Sequence, residues 1–325
     1  MQGKFISFIR KAERWFLKFF VSIGRFIRSI ALKIYGFLKP RWKTVSRTTI
    51  IALAVLYVIG AVVFGIRLYK QKRFEKIDLA ASYIYPLPVG HVGRSVIFSK
   101  GLTQKVIWAK TFAQKMQIEV PAGIEQNILE DMQNDSLIMQ EAGKLRVKVS
   151  RQDLDVAFEQ AVGGIGGEEQ AIGFIKNSYG MSLSQFKQLI LPKVALERIR
   201  DEQFVKVKAR YLVSKDENKV KDLEKKIREG AKFEDVAKDN SEDQETKDSG
   251  GQLADGEFIF RELSGLPEEI ENELFKLKAG EMSGVVKSTL GYHLLKVDER
   301  QGQIGDRPTE WFENLKKNYP VGVWI

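Results

Sequence analysis

The chain has 325 residues, no cysteine, two histidines, and 52 Lys+Arg against 42 Asp+Glu. Without cysteine there is no disulfide scaffold, thiolate zinc site, iron–sulfur cluster or cysteine nucleophile, and His91 with His293 are too few for a multi-histidine metal centre. The length fits about two domains, and the +10 net charge is local. Twelve basic residues and one acid fall within residues 1–47, leaving 40 basic and 41 acidic residues in the neutral remainder.

In that basic segment Phe5, Ile9, Ala12, Phe16, Phe19, Ile23 and Phe26 recur at steps of three or four, the period of one helical face. Lys4, Lys11, Lys18 and Arg25 repeat every seven residues on another side. A basic, Phe-rich amphipathic helix is expected over 1–47. It suits the cytoplasmic lipid interface, with a partner membrane protein as the competing occupant. Its wide apolar face argues against nucleic acid.

From Thr48 to Ile66 there are 19 residues without a charge, enough as a helix for the roughly 30 Å hydrocarbon core. A transmembrane helix is expected over 48–68. The long preceding region and the absence of an A-x-A-like site disfavour a cleaved signal peptide. Both flanks are basic, but the greater excess precedes the helix, so the N-terminus is expected in the cytoplasm and residues 69–325 outside.

Residues 67–79 read as a charged stalk continuing the anchor, and Tyr83–Gly93, with Pro86 and Pro88, as a loop. A short strand is expected at Arg94–Phe98. A helical pattern then runs from Thr103 to Tyr179, broken at Val120-Pro121, Leu145–Val149 and Gly163–Gly167. Gly163–Gly167 lacks the Gly-Lys-Ser/Thr that a phosphate loop requires, and Glu168-Glu169 would repel phosphate, so it reads as a turn. Ser150 and Ser182 read as helix N-caps, the second in a capping box with Gln185. One long helix over Ser182–Phe204 is expected to bend at Pro192.

At Phe204 the pattern changes. Val205, Val207, Ala209, Tyr211 and Val213 alternate with Lys206, Lys208 and Arg210, a strand with one buried face. Helices follow at Asn218–Glu229 and Phe233–Lys238, then a Gly/Asp-rich loop (Asn240–Gly256) and a helix at Pro267–Leu277. Strands are expected at Val285–Lys287 and Tyr292–Val297. This is an α+β pattern with a small antiparallel sheet. The tail reads as a helix, Pro308–Lys317, and an apolar end, Val321–Ile325, suited to pairing with a strand elsewhere.

Several runs in this region, in order, resemble the parvulin-type peptidyl-prolyl isomerases. They are Ala209–Val213, Gly230–Ala237, Asn240–Asp243, Gly250–Leu253, Gly280–Ser283 and Gly291–Val297. The likeness covers about 205–300. Upstream, Val149–Leu154 and Tyr179–Ser182 before the long helix resemble the helical chaperone domain of the SurA, PrsA and PpiD foldases. The resemblance implies a helical chaperone-like domain at 80–204, an isomerase domain at 205–300, and a C-terminal helix and strand at 301–325 returning to the chaperone domain. It implies no cofactor or metal, and partners that are unfolded exported chains with X-Pro bonds.

The implied chemistry makes no covalent bond. An X-Pro amide crosses a barrier of about 18–20 kcal/mol, and an enzyme lowers it by binding the twisted amide better than either planar form. Carried over by position, the polar residues are His293, Asp243, Ser288 and Tyr211, which stands where the family has a first-strand histidine. The proline pocket falls to Leu253, Leu266 and Ile270, with Phe258 nearby. A greasy cleft beside His293 is therefore expected. Because Tyr211 removes the paired-histidine network, a non-catalytic, peptide-binding scaffold is the alternative. A hydrolase is disfavoured, since no nucleophile elbow accompanies the two histidines.

Overall fold

The computed structural model describes residues 47–163, 166–261 and 264–325. The expected amphipathic helix over 1–47 and part of the Gly163–Gly167 turn lie outside them.

The described chain divides at Arg67–Leu68 into an N-terminal apolar helix and one larger body, Leu68–Ile325. The first helix, α1 (Arg47–Gly65), continues as a π-helical turn over Ile66–Lys70. Thr49–Lys70 is long and apolar enough to cross a membrane, the one such span among the described residues. The charged stalk is replaced by a break and a new helix, α2 (Lys76–Ile84). A local capping interaction starts it: the Glu75 backbone N–H donates to Asp78 Oδ2 at 3.0 Å.

Part of the expected Tyr83–Gly93 loop is also ordered as β1 (Pro88–Val92). It pairs antiparallel with β2 (Ser95–Phe98) and, on its other edge, with β7 (Val321–Val323), giving the order β2-β1-β7. Pro88 opens its strand, a position that tolerates a missing donor. Half of this strand's partners come from the far end of the chain, which no local pattern reveals. Trp324 closes the contact by stacking on His91, ring centroids 5.1 Å apart.

Five helices follow: α3 (Ser99–Met116), α4 (Ile124–Lys144), α5 (Arg151–Val162), α6 (Glu168–Tyr179) and α7 (Leu183–Gln203). Ser150 and Ser182 cap α5 and α7, each in a reciprocal capping box with Asp153 or Gln185. Pro192 is buried inside α7, and the helix continues through it.

The second sheet has the order β4-β3-β6-β5 and is antiparallel throughout. Its strands are β3 (Lys206–Ser214), β4 (Ile259–Phe260), β5 (Val286–Ser288) and β6 (Gly291–Gln301). Between them lie α8 (Glu217–Arg228), α9 (Phe233–Asn240) and α10 (Glu268–Leu274), and α11 (Pro308–Asn318) precedes β7. The sheet buries both faces. Val207, Ala209, Leu295 and Val297 meet Ile270, Leu274 and Phe275 on one side. Leu212 and Leu294 meet Val220, Leu223 and Phe233 of α8 and α9 on the other.

Helical and sheet portions share a third core, in which Ile138, Ala195 and Ile199 pack with Phe204, Trp311 and Phe260. An ionic cluster lies beyond it. Buried Glu271 of α10 receives Arg261, Arg307 at the start of α11, and the Ser264 hydroxyl at 2.8 Å.

Candidate active site

Strand alternation sets out the site. Counting by twos along β3 and β6 puts Val207, Ala209 and Tyr211 on the same face as Val297, Leu295 and His293. His293 sits mid-sheet, opposite Val213 on one neighbouring strand and Val286 on the other. That flanking buries it completely, at 0% exposure. The β5–β6 hairpin turns at Thr289-Leu290 and brings Ser288 back over the imidazole, with Oγ 2.8 Å from Nε2. His293 Nδ1 has no hydrogen-bond partner among the described residues.

Burial lowers the His293 pKa to about 4, so the ring is neutral near pH 7. A proton on Nε2 then avoids a bare buried N–H at Nδ1 and donates to Ser288 Oγ, which also accepts the Leu290 N–H at 3.0 Å. Both interactions use the oxygen's lone pairs. In that tautomer the Ser288 hydroxyl hydrogen is not used by the imidazole.

Tyr211 stacks on His293 with centroids 5.9 Å apart and planes at 24°. Its hydroxyl donates to Asp243 Oδ2 at 2.6 Å. Thr246 donates to the same oxygen through its hydroxyl at 2.5 Å and its N–H at 3.2 Å. Burial would raise the Asp243 pKa, but the bonds from Thr246, Tyr211 and the backbone outweigh it and hold the carboxyl below its usual value. Burial, then the bond to Asp243, pushes the Tyr211 phenol up. Its proton stays on.

Four sequence-derived polar residues thus come together in two linked pairs, Ser288–His293 and Tyr211–Asp243. Of the proposed apolar residues, Leu253 and Leu266 lie against the same core as Tyr211. Two are displaced. Ile270 is 0% exposed and belongs to the core beneath the site rather than to its surface. Phe258 lies beside the ammonium groups of Lys206 and Lys208, 5.3 and 5.0 Å from its ring, on the opposite face of β3. The cause is β4, which the sequence did not suggest: Ile259 faces the core, so its neighbours Phe258 and Phe260 face away. The expected cleft also needs correction, because His293 reaches no surface. Half-buried Tyr211, Leu266 and Val286 instead pack against the core that Val207, Ala209, Leu295 and Val297 build on this face of the sheet.

Sequence reasoning missed Thr246 and Val286. The signal for Thr246 was its place three residues after Asp243, where a hydroxyl and an N–H reach back to a carboxylate. Val286 was legible only once β5 had been registered against His293.

Two glycines set the approach of the loops. The Tyr211 N–H donates to Gly251 O at 2.8 Å. A Cβ at Gly251 would lie 2.0 Å from Tyr211 O, and its φ of +77° favours glycine in any case. At Gly291, φ +137°, a Cβ would lie 2.7 Å from Ser214 O.

This arrangement coincides with a family match: residues 208–299 fit the rotamase model, a PPIC-type peptidyl-prolyl isomerase domain. The chain therefore contains a parvulin-type isomerase domain. Beyond that domain it is similar to the foldase proteins PrsA. It is 29% identical over 193 residues to foldase protein PrsA 2 of Bacillus anthracis, covering 56% of this chain and 64% of that protein. It is 32% identical over 170 residues to foldase protein PrsA 2 of Listeria monocytogenes, covering 47% and 55%. To foldase protein PrsA of Caldanaerobacter subterraneus it is 28% identical over 238 residues, covering 66% and 70%. The chain thus spans less than two thirds of the first two relatives.

Proposed function

We propose that this chain is a membrane-anchored peptidyl-prolyl cis-trans isomerase and chaperone that assists the folding of exported proteins. The observation that carries the reading is the double network, Ser288–His293 and Tyr211–Asp243, with half-buried Tyr211, Leu266 and Val286 on the adjoining apolar core. These apolar side chains suit a proline ring. The Ser288 hydroxyl and the Tyr211–Asp243 pair are polar groups available to an amide losing its resonance as it twists. Neutral His293 acts as a positioning residue, orienting Ser288 without touching substrate.

We place the helical chaperone domain at 80–204, the isomerase domain at 205–300 and the returning helix and strand at 301–325. Thr49–Lys70 supports the anchor. The basic excess before it supports a cytoplasmic N-terminus, with 69–325 outside and residues 1–47 on lipid or a membrane-protein partner.

The test is the rate of cis/trans exchange in a proline tetrapeptide with the full chain in detergent. Wild type is expected to accelerate exchange, and Asp243→Ala and His293→Ala to reduce it. A specific observation favours a second reading: complete burial of His293, with tyrosine at 211, fits a domain that holds peptides without turning them over. A background exchange rate, with aggregation of an unfolded client still suppressed, would decide for that scaffold.

A further inference from the structure

A groove of about 530 Å³ opens on the helical portion between α3, α4, α6 and α7, and shares no residue with the isomerase site. That volume falls within the range of specific ligand sites. Trp108, Phe112, Ile118, Tyr179, Met181 and Leu189 supply its apolar lining. Phe112 and Tyr179 stack in parallel, with centroids 4.5 Å apart. Ile118 stands 54% exposed at the rim and carries the apolar lining out to the groove's edge.

The charge at this groove is one-sided. Asp131 and Asp135 lie one turn apart on α4, Glu119 stands on the facing rim, and Lys105 is the one basic residue lining it. Lys105 is committed to Asp135 at 2.9 Å. Neither Asp131 nor Glu119 has an ion-pair partner among the described residues. Like charges one helical turn apart destabilise a helix, and burial followed by the neighbouring Asp135 raises the Asp131 pKa. Asn134 also borders a second hollow, about 370 Å³, beside Val321 and Val323 of β7, so the surface open to an extended chain continues past the groove.

We propose that this groove is a second peptide site, independent of proline, that takes extended apolar or aromatic segments carrying lysine or arginine. The inference deepens the chaperone half of the proposed function. Apolar side chains fill the groove against Trp108 and Phe112, while the basic group meets Asp131 and Glu119. Residues 48–325 carry 40 basic and 41 acidic groups and are close to neutral, so a preference for basic peptides must come from a local site.

The experiment measures fluorescence anisotropy of two labelled, proline-free peptides with the full chain in detergent micelles. One has Phe and Leu interspersed with Lys; the other has Glu at each Lys position. The Lys peptide is expected to bind at least tenfold more tightly at low salt, with the margin shrinking as salt rises. The double variant Asp131→Asn, Glu119→Gln should bring the two affinities within about twofold, both changes being at exposed positions. Ile118→Ser should weaken both peptides while preserving the charge preference. Equal affinities for the wild type, or a preference surviving the double variant, would overturn the proposal. Since neither peptide contains proline, this result stands apart from the outcome of the isomerase assay.

Discussion

The rings of Tyr211 and His293 stack at 5.9 Å, and the Tyr211 hydroxyl is spent on Asp243 rather than on the imidazole. Where related domains are expected to join two histidines, this chain separates the functions. The tyrosine ring shields His293 from water, and its hydroxyl helps hold Asp243 ionised. The two polar pairs are connected by packing, not by a continuous hydrogen-bonded chain.

Tyr211→Phe tests that division. The ring stays to cover His293, while Asp243 loses one donor and keeps Thr246. Loss of a partly buried hydrogen bond to a charged group costs about 1.5–3 kcal/mol, and denaturant unfolding in detergent should show it. The isomerase kcat/KM is expected to fall about tenfold, equivalent to about 1.4 kcal/mol of transition-state stabilisation. Unchanged kinetics would mean that the Tyr211–Asp243 bond serves the fold alone.

The buried imidazole predicts a pH dependence. His293 titrates at about 4 in the folded chain against about 6.5 unfolded. Between those values the unfolded chain takes up a proton that the folded one refuses. Stability conferred by the neutral ring is therefore complete above pH 6.5, declines as pH falls toward 4, and changes no further below that. The full effect is on the order of 3 kcal/mol. Comparing unfolding of wild type and His293→Phe from pH 4 to 8 isolates it from the carboxylates. A difference between the two proteins that is constant with pH would refute the assignment.

How much of this was legible beforehand depended on how local each cause is. The caps at Ser150 and Ser182 and the alternation of β3 declare themselves within a few residues, and both were readable. The order of Tyr211, Asp243, Ser288 and His293 along the chain came from family motifs, and the fold brings these four side chains together. Phe258 faces away from His293 for a non-local reason: a two-residue strand, β4, sets which neighbour faces inward, and pairing so short leaves no periodic signal. The same holds for β1, whose sequence looks like a proline-containing loop until β7 supplies an edge from the other end of the chain.

Glu271 should be among the most sensitive charges. It is buried yet takes bonds from Arg261, Arg307 and Ser264, so removing it takes the carboxylate from two guanidinium groups at the junction between the sheet portion and α11, of which Arg261 keeps Asn272 and the Gly305 carbonyl. Breaking one partner of such a pair costs about 3–5 kcal/mol in a dry setting, and less here because the arginines are partly solvated. Glu271→Ala is expected to destabilise by about 2 kcal/mol and to raise amide hydrogen exchange in α11 more than in α8. Uniform exchange across both helices would show that Glu271 does not tie the junction.

Gly251 offers the sharpest backbone test, because its conformational and steric demands can be separated. Replacing any glycine at positive φ costs about 1 kcal/mol of strain. Gly280, at φ +81°, has nothing within 4 Å of an added Cβ, so Gly280→Ala should show that cost alone. Gly251 has a similar φ, but its Cβ would lie 2.0 Å from Tyr211 O, in backbone that carries both a site residue and a β3 hydrogen bond. Relief requires moving the loop off β3, and Leu253 moves with it. Gly251→Ala should therefore cost at least about 3 kcal/mol, lowering Tm by roughly 6–12 °C against about 2–4 °C for Gly280→Ala. Isomerase activity should fall in the first variant and persist in the second. Matching losses of Tm would show that the close approach of the loop to Tyr211 is not what this glycine secures.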